Sequence, residues 1–384
     1  MNQTSRTIRR MEQRKKARRR WLRVGRHTLL FCLVAALGVG LYGMIDLLHR
    51  DASNQSELPS SPSASDSTGS APEAAISLSF AGDVMMSGNV EKTLQEKGYE
   101  YAFAHVRPLF LADDYTIVNL ETPVTERGTP SDNKEFVYKS PPASLPAMKE
   151  AGVDAVNLAN NHSMDQGMDG LLDTLHNLEA EQLEYVGAGR DDTRAYAPVF
   201  FEKNGIRVAL LGFSRVIPEV SWYAGKNKPG VAASYDPARA AEAIRQAKTE
   251  ADLVVVIAHW GKERVDEPVD HQTMLAHAYI DAGADLVVGG HPHVLQGFEK
   301  YNGKWIAYSL GNFIFTRASE PKTWESMVLQ ASCTKSGDCT LTMLPYHAEL
   351  GQAVPMNESD GALLRKRIES ISRQVSIHPN GRVE

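Results

Sequence analysis

The chain has 384 residues, enough for one large domain or two smaller ones. Its 42% hydrophobic and 23% charged content is ordinary for a folded domain and excludes a chain disordered throughout. The net charge of −6 conceals +10 over residues 1–26 and −16 over residues 51–384, and so large an acidic surface repels polyanions unless a metal or a local basic patch offsets it.

Residues 1–26 hold eleven Lys/Arg against Glu12 and read as a basic tail. The following stretch, 27–48, is uncharged from Thr28 to Ile45. A membrane-spanning helix needs roughly 20 apolar residues, so this stretch reads as an anchor. With the basic cluster on its N-terminal side, the positive-inside rule places 1–26 in the cytoplasm and the main domain outside the cell. A cleaved signal peptide is the rival reading. It would show a shorter apolar region and a small-x-small site, where this chain has Ile45-Asp46-Leu47-Leu48-His49-Arg50. Beside such a span, attraction to anionic lipid explains the basic tail more simply than nucleic-acid binding does. Residues 49–75 read as a Ser/Pro-rich linker. Within it, 51–72 contain eight serines, three prolines and no aromatic residue, too little apolar surface to offset the entropy of ordering.

The folded part is expected from Ile76 to about 350, with 351–384 as a C-terminal tail. Residues 76–80 alternate apolar and polar, as a half-buried strand does, and run through Gly82 into Asp83. A helix is expected over 91–111. A strand over 115–120 ends at Glu121, and a polar loop covers 126–141. A short helix over 145–150 precedes a strand over 153–158, which delivers Asn160-Asn161-His162-Ser163-Met164-Asp165. Helices follow over 170–180, 237–249 and 272–282, and strands over 185–187 and 207–213. The strand 253–258 ends at His259-Trp260-Gly261, and 286–288 at Gly289-Gly290-His291-Pro292-His293. Residues 305–310 and 313–315 continue the β pattern around Gly311-Asn312. Cys333 and Cys339 bracket a hairpin-like turn, and either pair as a disulfide or remain two free thiols. The alternation of strands and helices argues for a largely parallel, helix-flanked sheet, and the later β-rich section suggests a second one.

Five strand ends thus present oxygen or nitrogen donors: Asp83, Glu121, Asn161 with His162, His259, and His291 with His293. In open α/β sheets, sites gather beyond the carboxyl ends of strands. A mixed carboxylate, amide and imidazole set suits divalent manganese, iron or zinc. Taken singly, each residue has a plainer reading. Asp83 and Asn161 are types that cap helices at strand–helix junctions. Glu121 stands as a solvated loop acid, His259 as a packed histidine beside Trp260, and His291 with His293 as loop residues that only hydrogen-bond. Asp165 reads as the cap of the next helix.

Gly82-Asp83, Asn119-Leu120-Glu121, Asn160 to Asp165, His259-Trp260-Gly261, Gly290-His291-Pro292-His293-Val294 and Tyr308-Ser309-Leu310-Gly311-Asn312-Phe313 resemble the motif set of the CapA/PgsA proteins of poly-γ-glutamate capsule synthesis and export. The resemblance covers about residues 76–320. That family is similar to calcineurin-like metallophosphoesterases, which implies an α/β fold built as a four-layer α/β/β/α sandwich. Carried over, it implies one ion position formed by Asp83, Glu121 and His293. A second would be formed by Glu121, Asn161, His259 and His291, and His162 would be the catalytic acid. The phosphoesterase pattern Asp-x-His is here Asp83-Val84-Met85, so methionine stands where one histidine ligand belongs. The second position is therefore expected to be better occupied than the first. The implied partners are poly-γ-glutamate or a phosphorylated intermediate, membrane synthase subunits and the membrane. An extracellular phosphoesterase unrelated to the polymer and a non-catalytic scaffold are the alternatives.

Overall fold

The structure, a computed structural model, describes residues 74–132 and 134–384. The tail, the anchor and nearly all of the linker expected over 1–75 lie outside the described residues. Among the described residues no helix is long and apolar enough to cross a membrane.

The described part is a mixed α/β fold with two main sheets. In spatial order the first runs β16 (Gln352–Pro355), β15 (Cys339–Glu349), β14 (Glu325–Thr334), β1 (Ala75–Val84), β2 (Tyr115–Leu120), β3 (Ala155–Asn157) and β4 (Glu184–Val186). Beside β1 and β15 lie β13 (Asn312–Ile314) and β17 (Arg382–Val383). The second sheet runs β11 (Phe298–Tyr301), β12 (Lys304–Ala307), β10 (Leu286–Gly290), β9 (Leu253–His259), β7 (Ile206–Ser214) and β6 (Val199–Lys203). A small pair joins β5 (Ala188–Gly189) to β8 (Gly230–Val231).

The period-2 alternation of the strands decides which core each side chain enters. In β9, Leu253, Val255 and Ile257 join a core shared with β1 residues Ile76, Leu78 and Phe80, so the two sheets pack face to face. The intervening Val254, Val256 and Ala258 face the opposite way. They pack with α6 (Ala238–Lys248) and α7 (Asp270–Asp281), near α5 (Asp192–Tyr196). The outer face of the first sheet is covered by α1 (Asn89–Lys97), α2 (Arg107–Phe110), α3 (Leu145–Glu150) and α4 (Gly167–Ala180).

The structure departs from the sequence reading in four places. The single helix expected over 91–111 is broken into α1, a 3-10 turn over Tyr99–Phe103, and α2. Gly98 between the first two has φ +90°, which ends a helix that a larger residue would tend to continue. Strand β6 was not anticipated, although Asn204 (φ +54°) and Gly205 (φ +73°) make the tight turn that joins it to β7. The later β-rich section divides between the sheets: β11 and β12 join the second, while β13 to β16 belong to the first. The second sheet is instead built around β7, β9 and β10. Residues 351–384, set apart as a tail, form β16, β17 and α8 (Glu358–Ser370), whose Leu364 and Ile368 are buried in the core between the sheets. Cys333 and Cys339, directly opposite each other on β14 and β15, form a disulfide.

Candidate metal centre

The six proposed metal donors come from both sheets and meet where the strands' carboxyl ends converge. Asp83 ends β1 beside Asn119 of β2 and Asn312 of β13. Glu121 follows β2 and Asn161 follows β3. His259 ends β9 in register with Gly290 of β10, and His291 and His293 follow directly. The glycine at 290 is required by this convergence, because a Cβ there would stand 2.9 Å from Asp83 Oδ1. His291 (φ +95°) and His293 (φ +57°) both take left-handed backbone conformations, uncommon outside glycine and found where surroundings impose them.

Glu121 is fully buried and its Oε1 is the hub of the site. Three imidazole Nε2 atoms surround that oxygen: His259 at 3.7 Å, His162 at 3.9 Å and His293 at 3.9 Å. It has no hydrogen-bond partner, and neither has the buried His291 Nδ1. Donors on a shared ion with bonds of about 2.1 Å stand roughly 3–3.5 Å apart, so these spacings are slightly long for an ion and too long for hydrogen bonds. His259 Nε2 also lies 2.7 Å from Asn161 Oδ1. Glu121, His259 and His291 form one group whose donor atoms lie within 4.8 Å of one another, and Asp83, Glu121 and His293 form another. These are the two sets expected from the sequence, apart from Asn161, an amide that joins the first through His259.

The electrostatics agree with a cation site. Burial, then the neighbouring Asp83 carboxylate, push Glu121 well above the usual carboxylate range. Burial, reinforced by the other histidines, holds His259 and His291 well below the ordinary imidazole value, so both rings are neutral donors. Burial alone would lower His293 too, but its approach to Asp83 Oδ2, at 3.2 Å, outweighs burial and raises it. A divalent ion reverses the penalty on Glu121, since it favours the ionised carboxylate that burial opposes. An unpartnered buried carboxylate oxygen, neutral imidazoles and an amide oxygen together fit such an ion.

His162 is held from behind. Its backbone N–H donates to Asn160 Oδ1 at 3.0 Å, and its Nδ1 lies 2.6 Å from Asp165 Oδ2. A carboxylate accepts, so Nδ1 carries the proton and Nε2 faces Glu121. Burial lowers the His162 pKa, and Asp165 opposes that shift. Asp165 is therefore no helix cap. The N-cap of α4 is Gln166, which makes no side-chain cap, and Asp165 orients the imidazole instead. Among the described residues Asp83 and Asn161 cap no helix either.

Sequence reasoning missed several residues here. Lys134 and Tyr138, in the loop read only as polar, close over His162. Lys134 Nζ pairs with Asp165, donates to the Asn161 carbonyl at 2.6 Å and lies 3.0 Å from His162 Nδ1. The Tyr138 ring stacks on His162 with centroids 4.2 Å apart. Asn119 Nδ2 donates to Asp83 Oδ1 at 2.7 Å, while its Oδ1 accepts from Asn157 at 2.9 Å. Asn312 Oδ1 lies 2.9 Å from His293 Nδ1. Asn119 and Asn312 stood within the recognised motifs; nothing local marked Lys134. His271, without strand-end context in the sequence, accepts from the Gly261 N–H at 3.2 Å.

The family described as "Bacterial capsule synthesis protein PGA_cap" matches residues 77–317. The chain is 39% identical to the PGA biosynthesis protein CapA of Bacillus subtilis over 295 residues, covering 76% of each chain. It is 36% identical to the capsule biosynthesis protein CapA of Bacillus anthracis over 291 residues, covering 74% of this chain and 70% of that one. Among solved structures it is similar to a phosphatase from Mycoplasma pneumoniae, at 15% identity and a TM-score of 0.44, covering 72% of this chain and 95% of that one. The family match over more than half of the chain, together with these two relatives, shows that the chain belongs to the bacterial capsule synthesis protein PGA_cap family.

Proposed function

We propose that this protein is a membrane-anchored, extracellular component of poly-γ-glutamate synthesis or export, and that its folded domain works through a divalent cation held by Glu121, Asn161, His259 and His291. The observation that carries the metal part is the unpartnered Glu121 Oε1, faced by three imidazoles from two sheets. Manganese, iron or zinc suits such donors. The layering of helices, two facing sheets and helices supports the metallophosphoesterase-type sandwich expected from the sequence. Family membership and the relatives' names support the polymer role. The 27–48 stretch, uncharged from Thr28 to Ile45 and behind a basic tail, supports the anchor, and the Cys333–Cys339 disulfide suits an oxidising exterior.

When bound, a divalent ion would polarise a ligand oxygen and acidify a water. The protein's own part is positional. Asp165 holds His162 with Nε2 toward Glu121 and favours the doubly protonated ring, whose Nε2–H would pass its proton to a leaving group and leave the Nδ1–H tautomer behind. Lys134 and Tyr138 shield the pair from water.

The test is complementation of a deletion strain with wild type, Asn161→Ala and His291→Ala, with polymer output and bound metal measured together. Both variants are expected to lose metal and most polymer. Wild-type polymer from variants that hold no metal would leave a scaffold role. A second reading, an extracellular phosphoesterase, is favoured by the His162–Asp165 pair. It requires hydrolysis of a phosphomonoester or diester by the full chain, abolished in His162→Ala.

A further inference from the structure

Methionine at 85 leaves the ion position of Asp83, Glu121 and His293 one imidazole short. The Met85 side chain is buried and its Sδ accepts from the Ser87 N–H at 3.2 Å, and a thioether is a poor donor to hard cations in any case. A carboxylate stands on the other side of His293. Glu263, an exposed residue four positions beyond the end of β9, forms a third group with His291 and His293 whose donor atoms lie within 4.8 Å of one another.

The placement of Glu263 is built into the loop. Gly261 (φ +94°) turns the chain out of β9, and its N–H is fixed on His271 Nε2. Arg264 (φ +61°) donates its backbone N–H to the Pro292 carbonyl at 2.8 Å, between the two histidines. Gln296 Nε2 donates to the Val265 carbonyl at 2.8 Å. The segment is thus held on both sides of Glu263, before it by His271 of α7 and after it by the turn that carries His291 and His293. His291, which is buried and whose Nδ1 has no hydrogen-bond partner, is a member of the same group. Glu263 also faces Glu121 and His293 closely enough to act on both electrostatically. Three carboxylates, Asp83, Glu121 and Glu263, therefore look onto one histidine, an arrangement that like-charge repulsion disfavours and a shared cation resolves.

We propose that Glu263 is a metal ligand: it binds the cation at His293 from the open side and supplies the donor that methionine at 85 removes. The protein then holds two ions, one tightly among Glu121, Asn161, His259 and His291, and one more weakly among Asp83, Glu121, His293 and Glu263. This rests on the metal reading given under Proposed function. Because Glu263 is exposed, removing it does not disturb the core.

The experiment is titration of the full-length chain with manganese(II), reading stoichiometry and affinity, for wild type, Glu263→Gln and the double variant Glu263→Gln with Met85→His. Wild type is expected to bind two ions. Glu263→Gln is expected to keep the tight ion and weaken the other by about 10- to 100-fold. The double variant is expected to recover part of that loss. One ion in wild type, or two affinities unchanged in Glu263→Gln, overturns the role of Glu263 and leaves the tight site standing. No ion in wild type overturns both.

Discussion

Lys134 and Asp165 are buried together against His162, and neither has another charged partner as close. Asp165 accepts in addition from the Tyr138 backbone N–H at 2.7 Å. Breaking a buried pair by removing one member leaves a charge without compensation and costs about 3–5 kcal/mol. Asp165→Leu alone is therefore expected to destabilise by about that amount, and Lys134→Met alone by somewhat less, because its carboxylate partner keeps other donors. The double variant should cost less than the sum, as coupled neighbours do. Denaturant titration of the four proteins checks this; additive losses would show that Lys134 and Asp165 do not act as a unit.

The hairpin of β14 and β15 is closed by Cys333–Cys339, six residues apart. Chain-entropy arguments for so short a loop give about 2 kcal/mol, so replacing both cysteines by serine should lower stability by about that much under oxidising conditions. Under reducing conditions the gap to wild type should vanish. A second tie joins elements distant in the chain. Glu299 of β11 meets His277 of α7 at 2.9 Å, the Tyr308 hydroxyl at 2.7 Å and Arg373, beyond α8, at 2.9 Å. Burial alone would raise the Glu299 carboxyl, but the hydrogen bonds from Tyr308 and His277 and the charge of Arg373 outweigh it and hold it below 4.5. A carboxylate with a depressed folded-state pKa stabilises above its unfolded value and loses that contribution as pH falls through the folded one. Glu299→Gln should therefore be less stable than wild type at neutral pH, by about 1.5–3 kcal/mol for hydrogen bonds to a charged group. The difference should close as pH drops below 4.5, and a gap independent of pH would rule out the charge as its source.

Across the whole molecule, the candidate metal centre is where the two sheets are drawn together, so binding of an ion there would be linked to folding. A cation that binds only the folded state at about 100 times its Kd adds about 2.7 kcal/mol. Wild type should gain that stability with manganese(II) and lose it with a chelator. Glu121→Gln should be insensitive to the ion, and more stable than wild type without one, because its buried carboxylate burden is gone. A Glu121→Gln chain that still rises with manganese(II) would place the ion elsewhere.

The candidate donors at the ends of buried strands can be read from the amino-acid pattern alone. A run such as 253–258 must be interior, and the polar residue that stops it, His259, is conspicuous for that reason. Asp83, Glu121, Asn161, His291 and His293 were legible in the same way, although the strand expected over 76–80 continues through Asp83 to Val84. Only the tertiary structure decided which sheet each strand joins and which loops close over the site. Lys134 meets Asp165, and the Glu263 loop meets Pro292, across turns whose placement depends on packing between sheets rather than on any local period. Residues 351–384 are likewise folded because α8 completes a core whose other walls lie far away in the chain. Local patterns are written by burial within one element; convergence is written by contacts between elements, and these exist only once the sheets have packed.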